Sequence, residues 1–292
     1  KLSPKSKKII IPTRNTESNL GLKMIPNLEI VRTDIKDERS INLLLEDADL
    51  VINTVGILNE INEDNSFDKI HYQLPKKVSN SIKKNKVKRF MHISSLNADP
   101  KSIGKYLKSK GKAEDFLISE TSSFCNLTIF RPSIVFGESD SFFNKFASLL
   151  KFLPIFPLAC PNAKFMPVYV EDLTDFMIST INNIDSYGKK IDVTGPGEYT
   201  FRELINHTLA ALKIRRLIIP LNSFLSRLQA SVFEKLPGKL FTMDNYQSLQ
   251  IDSCSDEGFK GSSSLEDIIP QYLNIKTKQE RFEKLRKKSG RK

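Results

Sequence analysis

Short apolar runs alternate with helical patterns through the first half of the sequence. The runs lack a polar residue at every second position, which is typical of strands that are buried on both faces. Helical stretches separate them, and this order predicts parallel strands joined by helical crossovers. The predicted strands are KKIIIP (7–12), LEIVRTD (28–34), DLVINTVG (49–56), VKRFMHISS (87–95) and NLTIFRPSIVFG (126–137). We therefore predict an α/β fold with a doubly wound, parallel, Rossmann-like sheet.

The second half of the sequence is less regular. An apolar segment interrupted by prolines (141–161) precedes two strand-and-helix patterns at 165–184 and 190–212. Thr200 and Glu203 form a capping-box pattern at the start of the last of these helices. Since no regular alternation follows residue 215, we predict a smaller C-terminal helical lobe and then a poorly ordered basic tail. The predicted domains are residues 1–164 for the Rossmann-like part, 165–275 for the substrate lobe and 276–292 for the tail.

Composition narrows the class of partner. The chain has 292 residues and a net charge of +11, which favours a polyanionic neighbour such as nucleic acid, an anionic membrane surface or a phosphorylated cofactor. A compositional bias towards lysine is the alternative explanation. No nucleic-acid motif accompanies the charge, so we expect no nucleic-acid partner. Three scattered cysteines predict a reducing, cytoplasmic location, and three histidines without a CxxC motif predict no metal site.

One expected element is missing from the pattern. In a Rossmann sheet the first strand leads into a glycine-rich turn that lets a cofactor pyrophosphate approach a helix N-terminus. The sequence contains no GxxGxxG and opens on KLSPKSKKIIIPTRN, which is typical of a helix end followed by the second strand. We expect the first strand and the glycine loop to lie upstream of Lys1. A fold that never had them is the alternative.

Several residues at predicted strand ends are candidates for holding a dinucleotide. Arg14, with Thr13 before it, follows the second strand of the fold, where an acidic residue suits a ribose hydroxyl and an arginine suits a 2′-phosphate. This favours NADP(H) over NAD(H), unless Arg14 is simply solvated. Asp34 is placed either to contact an adenine amino group or to cap the next helix. The fourth strand of the fold ends at the ligand crevice with Asn53, Thr54, Val55 and Gly56.

A tyrosine and a lysine four residues apart follow the next strand. Tyr106 and Lys110 share one helix face, where the ammonium favours the phenolate and the tyrosine can serve as a general acid or base. Ser94 and Ser95 end the preceding strand and could polarise a substrate carbonyl. We predict Ser95, Tyr106 and Lys110 as catalytic residues, with Ser94, Tyr106 and Lys110 also contacting the cofactor. In the alternative interpretation, Tyr106 packs and Lys110 is solvated.

Arg131 and Pro132 end the last strong strand of the first half. The element FRPSIVFG resembles one in the extended short-chain dehydrogenases, and that resemblance implies that the segment after the proline lines the nicotinamide, so both residues are candidate cofactor contacts. The alternative for Pro132 is a simple strand stop.

The chain resembles the bacterial relatives of the nucleotide-binding accessory subunit of respiratory complex I. The resemblance rests on IIIPTRN, DLVINTVGILNE, HISSLNADP, YLKSKGKAED, RPSIVFGESDSFFNKFASLLKF, PVYVEDL and LPGKLFTMDNYQSLQ. That family is part of the extended or atypical short-chain dehydrogenase/reductase superfamily, with its epimerases and dehydratases. The resemblance implies a tightly held NADPH, with Arg14 on the 2′-phosphate and Tyr106 and Lys110 on the nicotinamide ribose.

Two functions remain open at this point. The first is an NADP-dependent oxidoreductase, epimerase or dehydratase, which the joint presence of Ser95, Tyr106 and Lys110 favours. The second is a non-catalytic, NADPH-bearing accessory or assembly protein of a membrane respiratory complex. The basic surface and the apolar segment 142–158 favour the second, which would place the protein on the inner face of the cytoplasmic membrane.

Overall fold

The computed structural model describes residues 1–15, 22, 24–235, 239 and 241–273. The chain packs as two compact units that interleave along the sequence. Unit 1 consists of Lys1–Pro132, Leu173–Val193 and Glu257–Phe259. Unit 2 consists of Ser133–Asp172, Thr194–Asp256 and the chain from Lys260. The contiguous domains predicted at 1–164 and 165–275 stay a prediction, and the predicted tail lies outside the described residues.

As far as Pro132, the strands follow one another as the sequence pattern predicts, and most of the short strands of the second half were not predicted. Up to Pro132 the helices and strands are β1 (Ile9–Thr13), β2 (Leu28–Arg32), α1 (Glu38–Leu44), β3 (Leu50–Asn53), α2 (Leu74–Asn85), β4 (Arg89–Ile93), α3 (Lys105–Glu120) and β5 (Asn126–Pro132). The rest are β6 (Val135–Phe136), α4 (Phe143–Phe152), β7 (Ile155–Leu158), β8 (Lys164–Phe165), β9 (Val168–Tyr169), α5 (Val170–Ser179), β10 (Lys189–Thr194), β11 (Tyr199–Thr200), α6 (Phe201–Leu212), β12 (Leu217–Pro220), α7 (Ser223–Phe233), α8 (Met243–Ser248), β13 (Phe259–Lys260) and α9 (Leu265–Leu273).

The sheet of unit 1 is built from parallel strands. Its order is β13-β10-β5-β4-β3, and β3 with β4, β4 with β5, and β5 with β10 all pair in parallel. Strands β1 and β2 form a separate parallel pair. In the described part of the chain no strand pairs with the free edges of β1 and β3. Phe90, Leu127 and Ile129 are fully buried on the central strands, as expected of a sheet covered on both faces. The predicted Rossmann-like α/β class is confirmed.

The helix that precedes β4 has an unusual first turn. Asp68–Gln73 is a π-helix that runs into α2, and the Leu74 amide donates to the Lys69 carbonyl. Pro75 explains the wider turn, because proline has no amide hydrogen to give to the carbonyl four residues earlier. The turn changes the direction of side chains just before α2, and it carries His71.

The strand predicted at 126–137 divides in two where the chain leaves unit 1. β5 ends at Pro132, and β6 pairs instead with β9 of unit 2. Unit 2 has its own core, in which Phe136, Phe143 and Leu150 are fully buried. The predicted capping box at α6 is confirmed. The Thr200 side chain accepts a hydrogen bond from the Glu203 amide, and the Glu203 carboxylate accepts one from the Thr200 amide. Among the described residues, no helix has both the length and the apolar character that crossing a bilayer requires.

Candidate functional site

The candidate site lies in unit 1, where neighbouring parallel strands end together. Asn53, the last residue of β3, is the register partner of His92 on β4. Its amide nitrogen lies 3.1 Å from His92 Nδ1, and its carbonyl oxygen accepts from the Val55 amide at 3.1 Å. Because the Asn53 oxygen already accepts a bond, its nitrogen is the donor to His92. The contact fixes the turn after β3 against the end of β4.

Lys110 is the central charged group of this region. It lies on α3, is buried, and donates from Nζ to the carbonyl oxygen of Ile93, at the end of β4, at 3.1 Å. Burial lowers the pKa of Lys110 to about 8, and the nearby Glu114 carboxylate opposes that shift. The interpretation of Lys110 as a solvated helix residue is therefore wrong. Two of its three N–H donors have no hydrogen-bond partner among the described residues.

The turn at Gly56 lies directly beside this ammonium. A Cβ at Gly56 would stand 3.6 Å from Lys110 Nζ and 3.6 Å from His71 Nε2. The predicted residues Thr54, Val55 and Gly56 are exposed, so the backbone here is open to a ligand. A side chain at position 56 would occupy the space next to both nitrogens.

Tyr106 lies one turn before Lys110 on α3 and is half-buried. Its ring stands edge-on to His71, with centroids 5.3 Å apart, and edge-on to Phe67 at 5.7 Å. The structure therefore brings Tyr106 and Lys110 together on one helix face with the turn after β3. Packing of the Tyr106 ring is compatible with the predicted chemical role of its hydroxyl.

Sequence reasoning missed His71. The Ile57 amide donates to its Nε2 at 3.0 Å, and its Nδ1 lies 3.0 Å from Ser109 Oγ, which in turn donates to the Tyr106 carbonyl. Since Nε2 accepts, the proton of the neutral ring is on Nδ1. Burial, with the nearby Lys110 charge, lowers the pKa of His71 to about 3. His71 is thus a neutral link between the Gly56 turn and the Tyr106 helix.

Two buried polar atoms at the end of β4 have no protein partner among the described residues. They are Ser94 Oγ and His92 Nε2, which carries the ring proton because Nδ1 accepts from Asn53. An unsatisfied buried polar group is costly unless something else bonds it. Both atoms are fully buried, so the ammonium of Lys110, beside the exposed Gly56 turn, is the group that suits the hydroxyl and carbonyl oxygens of a nucleotide or substrate. Ser95, in contrast, donates from Oγ to the Leu96 carbonyl at 3.2 Å.

The residues predicted for the adenosine end follow β1 and β2. Arg14 is exposed immediately after Thr13, whose hydroxyl bonds the backbone of Asn15. Asp34 is also exposed and accepts from the Lys36 amide at 3.0 Å. The helix-capping alternative for Asp34 is wrong, because Asp37 caps α1 by accepting from the Ser40 amide. The parallel register of β1 and β2 brings Arg14 and Asp34 to the same sheet edge.

Arg131 is engaged by a buried carboxylate. Its Nε lies 2.8 Å from Glu114 Oε1, and its Nη2 also bonds Glu114. Lys190 reaches the same carboxylate at 3.0 Å. The Pro132 carbonyl accepts from the Leu96 amide at 3.0 Å and so extends the β4–β5 pairing. Cofactor contacts by Arg131 and Pro132 stay predictions, whereas Glu114 is a positioning group that the sequence did not reveal.

The chain is similar in sequence to several known proteins. Residues 5–141 match a family described as NAD(P)H-binding. The chain is 28% identical over 276 residues to "NADH dehydrogenase [ubiquinone] 1 alpha subcomplex subunit 9, mitochondrial" of Mus musculus, covering 92% of this chain and 72% of the relative. It is 27% identical over 199 residues to the "NADH-ubiquinone oxidoreductase 40 kDa subunit, mitochondrial" of Neurospora crassa, covering 67% and 51%.

Solved structures share the fold at low sequence identity. A UDP-glucose 4-epimerase from Thermotoga maritima superposes with a TM-score of 0.69 at 13% identity, covering 97% of this chain and 94% of that one. A dTDP-glucose 4,6-dehydratase from Streptomyces venezuelae, solved with NAD bound, gives 0.68 at 16% identity, covering 91% and 86%. The resemblance predicted from the sequence is thereby confirmed: the chain is similar to the complex I subunits over most of its length, and it shares its fold with the epimerase and the NAD-bound dehydratase.

Proposed function

We propose that this protein is an NADP(H)-dependent enzyme of the extended short-chain dehydrogenase/reductase type, acting as an oxidoreductase, epimerase or dehydratase. The observation that carries the proposal is the buried Lys110 ammonium, held at the end of β4 with Tyr106 one turn away on the same helix face. Burying a charge without full pairing is expensive. Such a group is more often retained for chemistry than for stability.

Each residue has a distinct role in this proposal. The Lys110 ammonium holds ribose hydroxyls and favours the phenolate of Tyr106. Tyr106 gives a proton to, or takes one from, the substrate oxygen. Ser95 turns its hydroxyl away from the Leu96 carbonyl and donates a hydrogen bond to the same substrate oxygen. When bound, the nicotinamide supplies or accepts a hydride.

The preference for NADP(H) rests on Arg14. Its position after β1 and its exposed guanidinium support a contact with a 2′-phosphate, since a planar fork of donors matches phosphate oxygens. No acidic residue follows β1 in the sequence TRN, where a ribose hydroxyl would otherwise find its acceptor. The matching family is described only as NAD(P)H-binding, so the preference for NADP(H) rests on Arg14 alone.

A second function has its own support. Similarity to the mouse subunit extends along 92% of the chain, which favours an accessory or assembly protein that carries NADPH on a membrane respiratory complex. In that case Lys110 and Tyr106 would hold the cofactor without turnover. The protein would then work at the inner face of the cytoplasmic membrane.

Tyr106→Phe separates the two functions. It removes one hydroxyl and keeps the ring that packs on His71, so folding and most cofactor contacts persist. In an enzyme, turnover falls by roughly 10²–10⁴-fold, the contribution of a positioned acid or base. The readout is complementation of a gene deletion by the variant, with nucleotide content measured by native mass spectrometry. A folded, nucleotide-loaded Tyr106→Phe protein that complements as well as the parent would contradict the enzymatic proposal.

A further inference from the structure

Helix α7 of unit 2 has an apolar face with no protein partner among the described residues. At 100° per residue its exposed apolar side chains fall within an arc of about 100°. They are Phe224, Leu225, Leu228 and Val232, and Phe224 is 74% exposed. Ser226 and Ala230 lie on the opposite side of the helix and are buried. The helix therefore packs on unit 2 by its small residues and turns its large apolar residues outward.

The β7–β12 pair of unit 2 also has one exposed apolar face. Ile155 and Leu217 are register partners, so their side chains lie on the same side of the pair. Both are exposed, Leu217 at 59%, whereas Phe156 and Ile218 on the other side pack in the core of unit 2. Just before β7, Phe152 ends α4 and is 83% exposed.

Direct hydrogen bonds join these pieces. Gln229 on α7 donates to the Pro157 carbonyl of β7 at 3.1 Å. Arg216 donates to the carbonyls of Leu150 and Lys151 near the end of α4, at 2.7 and 3.2 Å. The exposed residues therefore lie on elements of unit 2 that are hydrogen-bonded to one another. We call Phe152, Ile155, Leu217, Phe224, Leu228 and Val232 the apolar surface.

The chain segments that carry this surface have no negative charge. Residues 141–170 and 204–233 contain no Asp or Glu, although the whole chain has 34. They contain seven cations, which are Lys145, Lys151, Lys164, Lys213, Arg215, Arg216 and Arg227. Of these, Lys151, Lys213, Arg215 and Arg227 are exposed and have no carboxylate partner among the described residues. Glu234 follows at the C-cap of α7. Exposed apolar groups on segments that carry cations and no carboxylates are the chemistry that an anionic lipid surface recognises.

We propose that the apolar surface docks unit 2 on an anionic phospholipid bilayer. The apolar side chains enter the boundary between headgroups and acyl chains, and the surrounding cations contact lipid phosphates. A second copy of this chain is a poorer occupant, because pairing two such surfaces would bring cations against cations. The proposal deepens the peripheral location suggested above and does not depend on catalysis.

Vesicle flotation of the full-length protein tests the proposal. The probes are vesicles of phosphatidylcholine alone and vesicles with one-third phosphatidylglycerol. We expect binding to the anionic vesicles only, weakened by salt. Phe224→Ser with Leu228→Ser should weaken it roughly tenfold or more, since two apolar anchors are lost. Arg215→Gln with Arg227→Gln should weaken it several-fold while leaving the apolar residues in place.

Matched variants on unit 1 make the result specific. Leu43 and Arg39 are exposed on α1, so Leu43→Ser with Arg39→Gln should bind vesicles as the parent does. Equal loss in this control, binding that ignores lipid charge, or no binding at all would overturn the proposal. The proposal would also be overturned if the parent were a dimer that binds no vesicles and if Phe224→Ser with Leu228→Ser converted that dimer to a monomer. The apolar surface would then join two copies of the chain.

Nucleotide binding measured on the same samples separates this proposal from the proposed function. A protein that binds NADPH but floats with neither vesicle contradicts docking alone. A protein that floats with anionic vesicles but binds no nucleotide supports docking and contradicts the enzymatic proposal. Unchanged thermal melting of each variant shows that its fold is intact.

Discussion

At the scale of single residues, the site is organised around a buried ammonium. Lys110 bonds the Ile93 carbonyl, while its neighbour Glu114 is already paired with Arg131 and Lys190. Glu114 therefore stays compensated if Lys110 is removed. The lowered pKa of Lys110 shows that the fold disfavours its charge, as expected of a residue kept for binding or chemistry.

Lys110→Met is therefore expected to stabilise the protein while weakening its hold on nucleotide. Replacing a buried charge by an apolar side chain of similar length should raise the free energy of unfolding by about 1–3 kcal/mol at pH 7. Urea denaturation and nucleotide titration measure the two effects. Lys112→Met, at an exposed position of the same helix, is the control and should change neither. A destabilised Lys110→Met protein would show that the lysine is structural.

His71 predicts a dependence of stability on acid. Its pKa in the folded protein, about 3, is below the ordinary value of 6.5. Between those values the unfolded chain binds a proton that the folded protein does not, so stability falls as pH drops below 6.5. His71→Gln can still accept from Ile57 and donate to Ser109, but it does not titrate. The slope of unfolding free energy between pH 6 and 4 should decrease by up to about 1.4 kcal/mol per pH unit. An unchanged slope would contradict the neutral link.

Arg14 predicts the choice of nucleotide. Arg14→Ala should reduce the preference of the full-length protein for NADPH over NADH by about 1–3 kcal/mol, the value of one charge-assisted contact. Arg39→Ala, a nearby exposed arginine on α1, should leave the preference intact. Calorimetry with both nucleotides measures it. An Arg14→Ala protein with the parent's preference would assign selectivity to another residue.

Which residues could be predicted depends on how local their signal is. Asn53, Ser94, Tyr106 and Lys110 follow from strand ends and helix spacing, and the structure brings them into one region. His71 was missed because its contacts with Ile57 and Ser109 span 14 and 38 residues. Likewise nothing local indicates that Glu114 faces Arg131, 17 residues later. A buried polar group whose partners lie far away in the sequence leaves no periodic pattern in that sequence.

At the scale of elements, the sheet explains both the successes and the errors of sequence analysis. Apolar runs predict strands β1 to β5. Only β4 and β5 are buried along most of their length, whereas β1 and β2 contain half-buried and exposed residues, so the burial expected of KKIIIP and LEIVRTD is wrong. The strand predicted at 126–137 was too long, since pairing with β9 rather than local propensity decides where β6 lies. The π-helical turn at Asp68–Gln73 was also missed, although Pro75 was a signal for it.

The free edges of β1 and β3 bear on the affinity for NADPH. A doubly wound sheet holds the cofactor pyrophosphate on a glycine turn that follows a strand, and the 292-residue sequence has no such turn. We expect this 292-residue chain to bind NADPH more weakly than micromolar. Micromolar binding by the 292-residue chain in calorimetry would mean that it holds the pyrophosphate in another way.

At the scale of the whole molecule, the predicted site and the apolar surface lie in different units. Unit 1 holds every predicted nucleotide and catalytic residue, and unit 2 holds the acid-free apolar surface. The return of Leu173–Val193 and Glu257–Phe259 to unit 1 could not be predicted, because strand order depends on long-range pairing. The net charge of +11 indicated an anionic partner without choosing between a phosphorylated cofactor and lipid. The two proposals assign the phosphorylated cofactor to unit 1 and the lipid to unit 2.

The most direct test of the account is calorimetric titration of the full-length protein with NADPH and NADH. We expect NADPH to bind about tenfold or more tightly than NADH, as one charge-assisted contact allows. Lys110→Met should lose most of this binding. Equal affinity for the two nucleotides, or equal binding by the parent and Lys110→Met, would contradict this prediction.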